Sequence, residues 1–326
     1  MALLEVQDLA IDVATVHGTL HAVNEVSFTL ERGETLAIVG ESGSGKSMTS
    51  LAVMDLLPRL AARRATHLSF DGTDLLNIDE PGMRKLRGNR MAMIFQEPMT
   101  SLNPAYTIGN QLTEALRCHQ SVSARAARDR AVQLLERVGI AGADRRLKQY
   151  PHQLSGGLRQ RVMIAMALMC NPDLIIADEP TTALDVTIQA QILRLLDDLK
   201  REFGMAMILI SHDLGVVARV ADKVAVMYAG SVVECGPARS VFREPSHPYT
   251  RGLLNCIPVP GRTVPGTPLG AIPGQLPSLI GRLQGCAFRD RCDFAGPECS
   301  GEIELAALRP NHQVRCIRLP VLKGAA

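Results

Sequence analysis

The chain has 326 residues, enough to bury a full hydrophobic core in one large domain with an appendage or in two medium domains. Hydrophobic residues make up 46% and charged residues 21%, ordinary values for a globular protein, and a formal net charge of +2 is too small to indicate nucleic acid as a partner. The N-terminus has no basic region, and no stretch approaches about 18 uninterrupted apolar residues. We therefore expect a protein that is not secreted and has no direct membrane insertion.

Short apolar runs alternate with helical patterns between residue 1 and about residue 240. The runs 35–39, 174–177, 206–210 and 224–227 predict buried, mainly parallel strands. Apolar residues recur at helical spacing over 188–199, which predicts a helix after the second of these strands. The expected core is therefore of the α/β class.

Two other segments differ from this core in composition. Residues 108–169 lack strong strand patterns and are rich in Ala, Arg, Leu and Gln, which predicts a mainly helical lobe at about 100–170. After Pro245, prolines alternate with glycines, which disfavours long helices and central strands. We expect one domain over residues 1–240 and a C-terminal extension over 241–326.

A phosphate-binding motif, G-x-x-x-x-G-K-S, follows the apolar run 35–39 directly and precedes a helix-compatible segment, 48–57. Its glycines let backbone N–H groups turn towards phosphate oxygens, the helix N-terminus adds partial positive charge, and Lys46 supplies a full one. Ser47 is expected to place its hydroxyl on Mg²⁺. The residues predicted to bind a nucleoside triphosphate are Gly40, Glu41, Ser42, Gly43, Ser44, Gly45, Lys46, Ser47 and Met48.

Two acidic residues end the apolar run 174–177. A phosphate-transfer enzyme needs one acid to position Mg²⁺ and another group to activate the attacking water. A strand that ends in Asp-Glu is more often a helix cap when it occurs alone, but the phosphate motif upstream favours catalysis. Asp178 is the predicted acid on the Mg²⁺ side, and Glu179 is the predicted general base.

The run Leu-Ser-Gly-Gly-Leu-Arg-Gln at 154–160 resembles the signature motif of the ABC ATPase family. It precedes a predicted helix, 158–169, whose N-terminus would form a second anion-binding site. The resemblance implies an α/β phosphate-loop NTPase fold of ABC type, with a RecA-like lobe in a mixed β core, a helical signature lobe and an antiparallel β part. It also implies a head-to-tail dimer in which ATP meets Ser155, Gly156, Gly157 and Gln160 of the opposite subunit.

Three further motifs continue this resemblance at Gln96, Asp185 and His212. In the family, the residue matched by Gln96 contacts Mg²⁺ and the attacking water, so Gln96 joins Ser47 and Asp178 as a predicted Mg²⁺ ligand. The resemblance implies that Asp185 communicates across the dimer and that His212 stabilises the γ-phosphate.

The adenine site departs from the usual family pattern. Many members stack the base on an aromatic residue upstream of the phosphate loop, but the first aromatic residue here is Phe28, within an apparent strand. An imidazole face offers a similar surface for stacking. We expect His17 to contact adenine, with His21 as the alternative and a surface histidine as the plainer interpretation.

The C-terminal extension resembles that of dipeptide and oligopeptide importer ATPases, through Ser-His-Pro-Tyr-Thr at 246–250 and Ile-Pro-Gly-Gln-Leu-Pro at 272–277. The resemblance implies an ATP-hydrolysing subunit on the cytoplasmic face of the cell membrane. Its partners would be a second ATPase subunit, favoured as a paralogue, two transmembrane permease subunits and, indirectly, an extracytoplasmic peptide-binding protein. A nickel or other small-solute importer ATPase, and a soluble ABC ATPase with an iron–sulfur cluster, remain alternatives.

Four cysteines in the extension have the spacing C-x5-C-x6-C-x16-C: Cys286, Cys292, Cys299 and Cys316. Four thiolates suffice for one metal centre, although this is not the spacing of a zinc ribbon. Resemblance to related importer ATPases favours a [4Fe–4S] cluster, with structural zinc and free thiols as alternatives. We therefore expect an irregular, metal-binding extension.

Overall fold

The computed structural model describes residues 2–181, 185–257 and 270–319. The chain divides into two compact units. The first unit comprises residues 1–30, 35–76 and 211–326, and the second comprises residues 31–34 and 77–210. Within the described ranges, no helix combines the length and the apolar character needed to span a lipid bilayer.

Strands and helices are interspersed along most of the described chain. The strands are β1 Leu4–Thr15, β2 Gly18–Leu30, β3 Thr35–Val39, β4 Ala61–Arg64, β5 His67–Phe70, β6 Thr73–Asp74, β7 Met91–Ile94, β8 Leu174–Asp178, β9 Ala206–Ile210, β10 Lys223–Tyr228, β11 Ser231–Pro237, β12 Ala306–Arg309 and β13 His312–Val314. The helices are α1 Lys46–Val53, α2 Glu80–Leu86, α3 Pro98–Ser101, α4 Ile108–Arg117, α5 Ala124–Arg137, α6 Ala143–Arg146, α7 Gly156–Ala167, α8 Val186–Phe203, α9 Leu214–Val220, α10 Ala238–Arg243 and α11 Pro248–Asn255.

The first unit contains an antiparallel sheet and a mixed set of strands. In the antiparallel sheet, β1 pairs with β2, β4 and β5, and β5 pairs with β6. In the mixed set, β3 and β10 are parallel, β11 is antiparallel to β10, and β13 lies antiparallel to β11 and β12. Every residue of β3 is buried, as expected for a parallel strand covered on both faces. The strands predicted at 35–39 and 224–227 are confirmed.

The second unit contains a parallel arrangement of β7, β8 and β9, with Leu174 opposite Met91 on one side and Ala206 on the other. All residues of β8 and β9 are buried. Helix α8 follows β8 and covers the predicted helical segment 188–199. The predictions of strands at 174–177 and 206–210 and of the helix after the first of them are confirmed.

Helices α3 to α7 occupy the segment between β7 and β8, and several begin at hydroxyl caps. The hydroxyls of Thr107 and Ser123 accept hydrogen bonds from backbone N–H groups three residues further on, at 3.2 and 3.1 Å. Such bonds satisfy N–H donors that have no partner within the helix. Helix α7 begins two residues before the predicted position because Ser155 is its cap.

Helix α1 ends earlier than the sequence pattern predicts, at Val53 rather than at residue 57. Asp55 adopts a left-handed backbone conformation with φ of 52°, and Pro58 follows three residues later. A left-handed residue interrupts a right-handed helix, and proline removes a donor and restricts the residue before it. The apolar pattern of 48–57 therefore extends past the last residue of the helix.

A buried polar network joins the C-terminal extension to strand β11 of the same unit. Glu234 on β11 and His312 on β13 are 0% and 1% exposed, and Glu234 Oε1 lies 2.9 Å from His312 Nε2. The same carboxylate accepts hydrogen bonds from the backbone N–H groups of Ser246 and His247, each at 2.8 Å. A buried carboxylate requires such partners, so Glu234 fixes β13 and the start of α11 to the sheet. Burial lowers the pKa of His247 to about 4.

Candidate active site

The phosphate loop, residues 40–47, connects β3 to α1 within the first unit. Gly40 and Gly45 have φ values of 150° and 99°, conformations that favour glycine. A Cβ atom at Gly40 would overlap the carbonyl oxygen of Met227, and one at Gly45 would lie 2.6 Å from that of Ala22. Glycine is therefore required at both positions for the loop to follow this path.

Lys46 begins helix α1 and is 5% exposed. Its ammonium donates hydrogen bonds to the carbonyl oxygens of Gly40 and Glu41, at 3.0 and 2.9 Å. The hydroxyl of Ser44 is buried and has no hydrogen-bond partner among the residues that the structure describes. A cation at a helix N-terminus beside a glycine-rich turn suits a polyphosphate, because phosphate oxygens would replace the carbonyls as acceptors. These residues fit ATP.

His212 belongs to the first unit and is exposed between β9 and α9. Hydrogen bonds hold the turn around it: Ser211 Oγ accepts from the N–H of Asp213 at 3.0 Å, and Asp213 Oδ1 accepts from the N–H of Val216 at 3.1 Å. The second bond caps α9, so the backbone on the C-terminal side of His212 is fixed by a helix terminus.

His17 and His21 lie at the hairpin between β1 and β2. His17 is exposed in the turn, and its backbone N–H donates to Thr15 Oγ1 at 3.2 Å. His21 is half-buried, with Nδ1 2.6 Å from Asp12 Oδ1. His17 therefore presents the more accessible ring, and its contact with adenine stays a prediction.

In the second unit, the end of β8 brings together three predicted residues. Asp178 is the last residue of the strand and is 5% exposed. Glu179 follows in a left-handed conformation with φ of 44°, and its N–H donates to the carbonyl of Ile210 at 3.0 Å. The side-chain amide of Gln96 donates to Glu179 Oε2 at 3.0 Å. A left-handed glutamate is energetically unfavourable and is typical of residues held in place for function.

The signature segment lies at the start of α7 in the second unit. Ser155 Oγ accepts a hydrogen bond from the N–H of Leu158 at 3.4 Å, and Ser155 and Gly156 are exposed, whereas Gly157 is half-buried. Gln160 is 1% exposed, and its Nε2 has no hydrogen-bond partner within the described ranges. The exposed helix start is accessible to a ligand or a partner subunit, whereas Gln160 faces the protein interior.

Asp185 is exposed at the N-terminal cap of α8. The other residues of its motif, 182–184, lie outside the described residues. Its expected role across a dimer stays a prediction.

The four cysteines of the extension line one small cavity of about 10 Å³, together with His247 and Phe288. Burial raises the pKa of the Cys286 thiol to about 11 and raises the pKa values of Cys292 and Cys316 as well. In the parts of the chain that the structure describes, no three His, Cys, Asp or Glu side chains are arranged to hold a metal ion. The expected metal-binding character of the extension is thus not supported by the side-chain positions.

Two residues at the phosphate loop were not predicted from the sequence. Tyr249 accepts a hydrogen bond from the N–H of Glu41, and Arg291 forms an ion pair with the Glu41 carboxylate. Tyr249 lies in the Ser-His-Pro-Tyr-Thr motif, which resembles the importer family but indicates no contact with the phosphate loop. No local pattern marked Arg291, because its partner lies 250 residues away in the chain.

The glycine-dependent loop and the buried lysine define a phosphate-loop nucleotide-binding protein. Residues 23–182 match the family model described as ABC transporter, and residues 233–299 match the model described as oligopeptide/dipeptide transporter, C-terminal region. A putative peptide import ATP-binding protein of Brucella melitensis is 52% identical, over 97% of this chain and 97% of that protein. The oligopeptide transport ATP-binding protein OppD of Salmonella typhimurium is 51% identical, over 97% and 93% of the two chains.

A similar solved structure is a dimeric ATP-binding cassette in a post-hydrolysis state bound to ADP and phosphate. It is 27% identical, with a TM-score of 0.66, over 72% of this chain and 99% of that chain. The chain belongs to the ABC transporter family, within the group that carries the oligopeptide/dipeptide transporter C-terminal region. It is an ATP-hydrolysing transport ATPase, and the predicted family, cassette fold and use of ATP are confirmed.

Proposed function

We propose that this ATPase powers the import of dipeptides or oligopeptides. The similarity that supports a peptide substrate extends through the C-terminal extension, and the two relatives named above are described as peptide import and oligopeptide transport proteins. Nickel and other small solutes are the alternative cargo. The chain would act at the cytoplasmic face of the membrane with two permease subunits, a second ATPase subunit and, indirectly, an extracytoplasmic peptide-binding protein.

In the proposed mechanism, two ATPase subunits meet head to tail around ATP. Lys46 and the phosphate-loop N–H groups would hold the phosphates, and Ser155, Gly156 and Gly157 would complete the site from the opposite subunit. Ser47, Gln96 and Asp178 are the proposed Mg²⁺ ligands. His212 would hydrogen-bond to the γ-phosphate, and Asp185 would respond to the opposite subunit.

The observation that best supports the hydrolytic mechanism is the hydrogen bond from the Gln96 amide to Glu179. A general base requires a carboxylate held in a fixed orientation within reach of the attacking water. Glu179 has a backbone bond to β9 and a side-chain bond to Gln96, so both parts of the residue are held. Glu179 would take the proton of the water while Gln96 keeps the carboxylate oriented.

The proposed substrate class is tested by reconstituting the chain in proteoliposomes with its permease subunits, second ATPase and binding protein. We expect a mixture of di- and oligopeptides to stimulate ATP hydrolysis severalfold, whereas Ni²⁺ at the same concentration does not. The matched control omits the binding protein and removes the stimulation. Stimulation by Ni²⁺ but not by peptides would contradict the peptide assignment while leaving the ATPase assignment intact.

We further propose that the extension, residues 241–326, carries a [4Fe–4S] cluster on Cys286, Cys292, Cys299 and Cys316, with zinc as the alternative. In support, all four residues line the same cavity. Cys286, Cys292, Cys299 and Cys316 would supply the four thiolate ligands that such a cluster takes. The cluster would staple a proline-rich segment that has little apolar content of its own.

Anaerobic purification tests this assignment. We expect brown protein with about four iron atoms and matching acid-labile sulfide per chain, because one iron binds each cysteine. Cys299→Ser should lose most of this iron, whereas Cys118→Ser, which changes an exposed thiol outside the extension, should retain it. Colourless protein without iron would refute the cluster, and stoichiometric zinc would establish the alternative.

A further inference from the structure

Arg291 links the C-terminal extension to the phosphate loop. It ends the short 3₁₀ turn Arg289–Arg291, and its side chain is only 6% exposed. The guanidinium donates to both oxygens of the Glu41 carboxylate, from Nη1 at 2.7 Å and from Nη2 at 3.0 Å. This two-point arrangement is the strongest and most directional form of an arginine–carboxylate pair. Arg291 therefore sets the position of the Glu41 side chain.

The guanidinium is itself held by residues of the extension and by Tyr228 on β10. Its Nε donates to the carbonyl oxygen of Pro273 at 2.7 Å, and Nη2 also donates to that of Ile272 at 3.1 Å. The rings of Tyr228 and Phe288 lie 5.8 and 6.0 Å from the guanidinium carbon. Because these contacts fix the cation before any nucleotide binds, little side-chain freedom remains to be lost at the loop.

Tyr249 makes a second, separate contact with Glu41. Its hydroxyl accepts a hydrogen bond from the Glu41 N–H at 2.8 Å, and the tyrosine is fully buried. The ring packs against those of Tyr228 and Phe288, with centroids 4.6 and 5.4 Å away. His247 caps α11 by accepting from the Tyr249 N–H, and Glu234 in turn holds the N–H of His247. The buried network at Glu234 thus supports the tyrosine that holds the loop.

We propose that Arg291 and Tyr249 are positioning residues for ATP, which hold Glu41 by its side chain and its backbone and neutralise its charge beside the triphosphate. An unpaired carboxylate in a phosphate loop would repel the ligand, and the pair with Arg291 removes that repulsion. The Glu41 carbonyl accepts from the Lys46 ammonium, so a shift of Glu41 would also displace the lysine. The extension therefore completes the ATP site of its own subunit.

The test measures ATP binding by the full-length chain and hydrolysis by the assembled transporter. Arg291→Met keeps an apolar stem but removes the charge, and we expect it to weaken ATP binding about tenfold, equivalent to about 1.4 kcal/mol. In steady-state hydrolysis the loss should appear mainly in KM. Arg291→Lys keeps the charge but not the two-point geometry. It should recover about half of the lost ATP affinity, measured on a logarithmic scale. Arg289→Met is the matched control, because Arg289 donates to the carbonyl of Gln284 instead.

A Glu41→Gln background separates neutralisation of Glu41 from a general structural effect. With no carboxylate to neutralise, Arg291→Met should weaken ATP binding less than about twofold relative to Glu41→Gln alone. If Arg291 served only to tie the extension together through Pro273 and Ile272, the loss would be the same in both backgrounds, and this outcome would overturn the proposal.

Tyr249→Phe gives an independent measurement, since removal of the acceptor for the Glu41 N–H should weaken ATP binding about threefold. Unchanged affinity in both Arg291→Met and Tyr249→Phe would also refute it.

Discussion

Glu179→Gln is expected to lower the rate of ATP hydrolysis at least about a hundredfold, the typical contribution of a positioned general base. Glutamine has nearly the same shape as glutamate, and its carbonyl oxygen still accepts the hydrogen bond that the Gln96 amide donates to Glu179. Only the capacity to take a proton from water is lost. The variant should therefore bind ATP and remain in the ATP-bound dimer.

The measurements are the steady-state rate of phosphate release and the oligomeric state with bound ATP, followed by size-exclusion chromatography. Glu202→Gln is the matched control, because Glu202 is an acid of the same unit that pairs with Arg137 rather than with Gln96. We expect the control to hydrolyse ATP at the normal rate. Full turnover in Glu179→Gln would exclude this residue as the general base. Another proton acceptor at the end of β8 would then be required.

Lys46→Ala is expected to weaken ATP binding by about 30- to 100-fold, the equivalent of one or two charge-assisted hydrogen bonds to phosphate. Lys46 is 5% exposed and is held over the loop by the carbonyls of Gly40 and Glu41. A phosphate that replaces those carbonyls meets a cation already in place, with little side-chain entropy left to lose.

Equilibrium titration with a fluorescent ATP analogue measures this effect. Lys148→Ala removes an exposed lysine of the second unit and should bind the analogue with normal affinity. A melting curve for each variant separates loss of binding from loss of folding. Near-normal affinity in folded Lys46→Ala would mean that the backbone N–H groups of the loop supply the affinity without the lysine.

Much of the site could be located from the sequence because its motifs are local. The phosphate loop requires glycines and a lysine at fixed spacing, and the start of α7 is capped by the serine immediately before the helix. Buried parallel strands are continuous apolar runs, so β3, β8, β9 and β10 were predicted within one or two residues. In each case the residues that make the structure lie within a few positions of one another.

The end of α1 and the contacts of the extension required the tertiary structure. The apolar pattern of α1 continues past Val53, and only the backbone conformation of Asp55 shows where the helix stops. Glu234 and His312 are 78 residues apart, and each alone resembles an ordinary surface residue in the sequence. Burial and pairing between them arise only when β13 aligns with β11.

The phosphate loop combines, within a single motif, features that the sequence predicts and contacts that only the tertiary structure determines. Its turn and its lysine follow from short-range sterics and charge, and the sequence predicts both without any knowledge of the rest of the chain. Glu41 occupies a variable position of that motif, and nothing local indicates its partners. Tyr249 and Arg291 reach it from 208 and 250 residues away, because the packing of the extension within the first unit, rather than sequence spacing, determines which side chains meet.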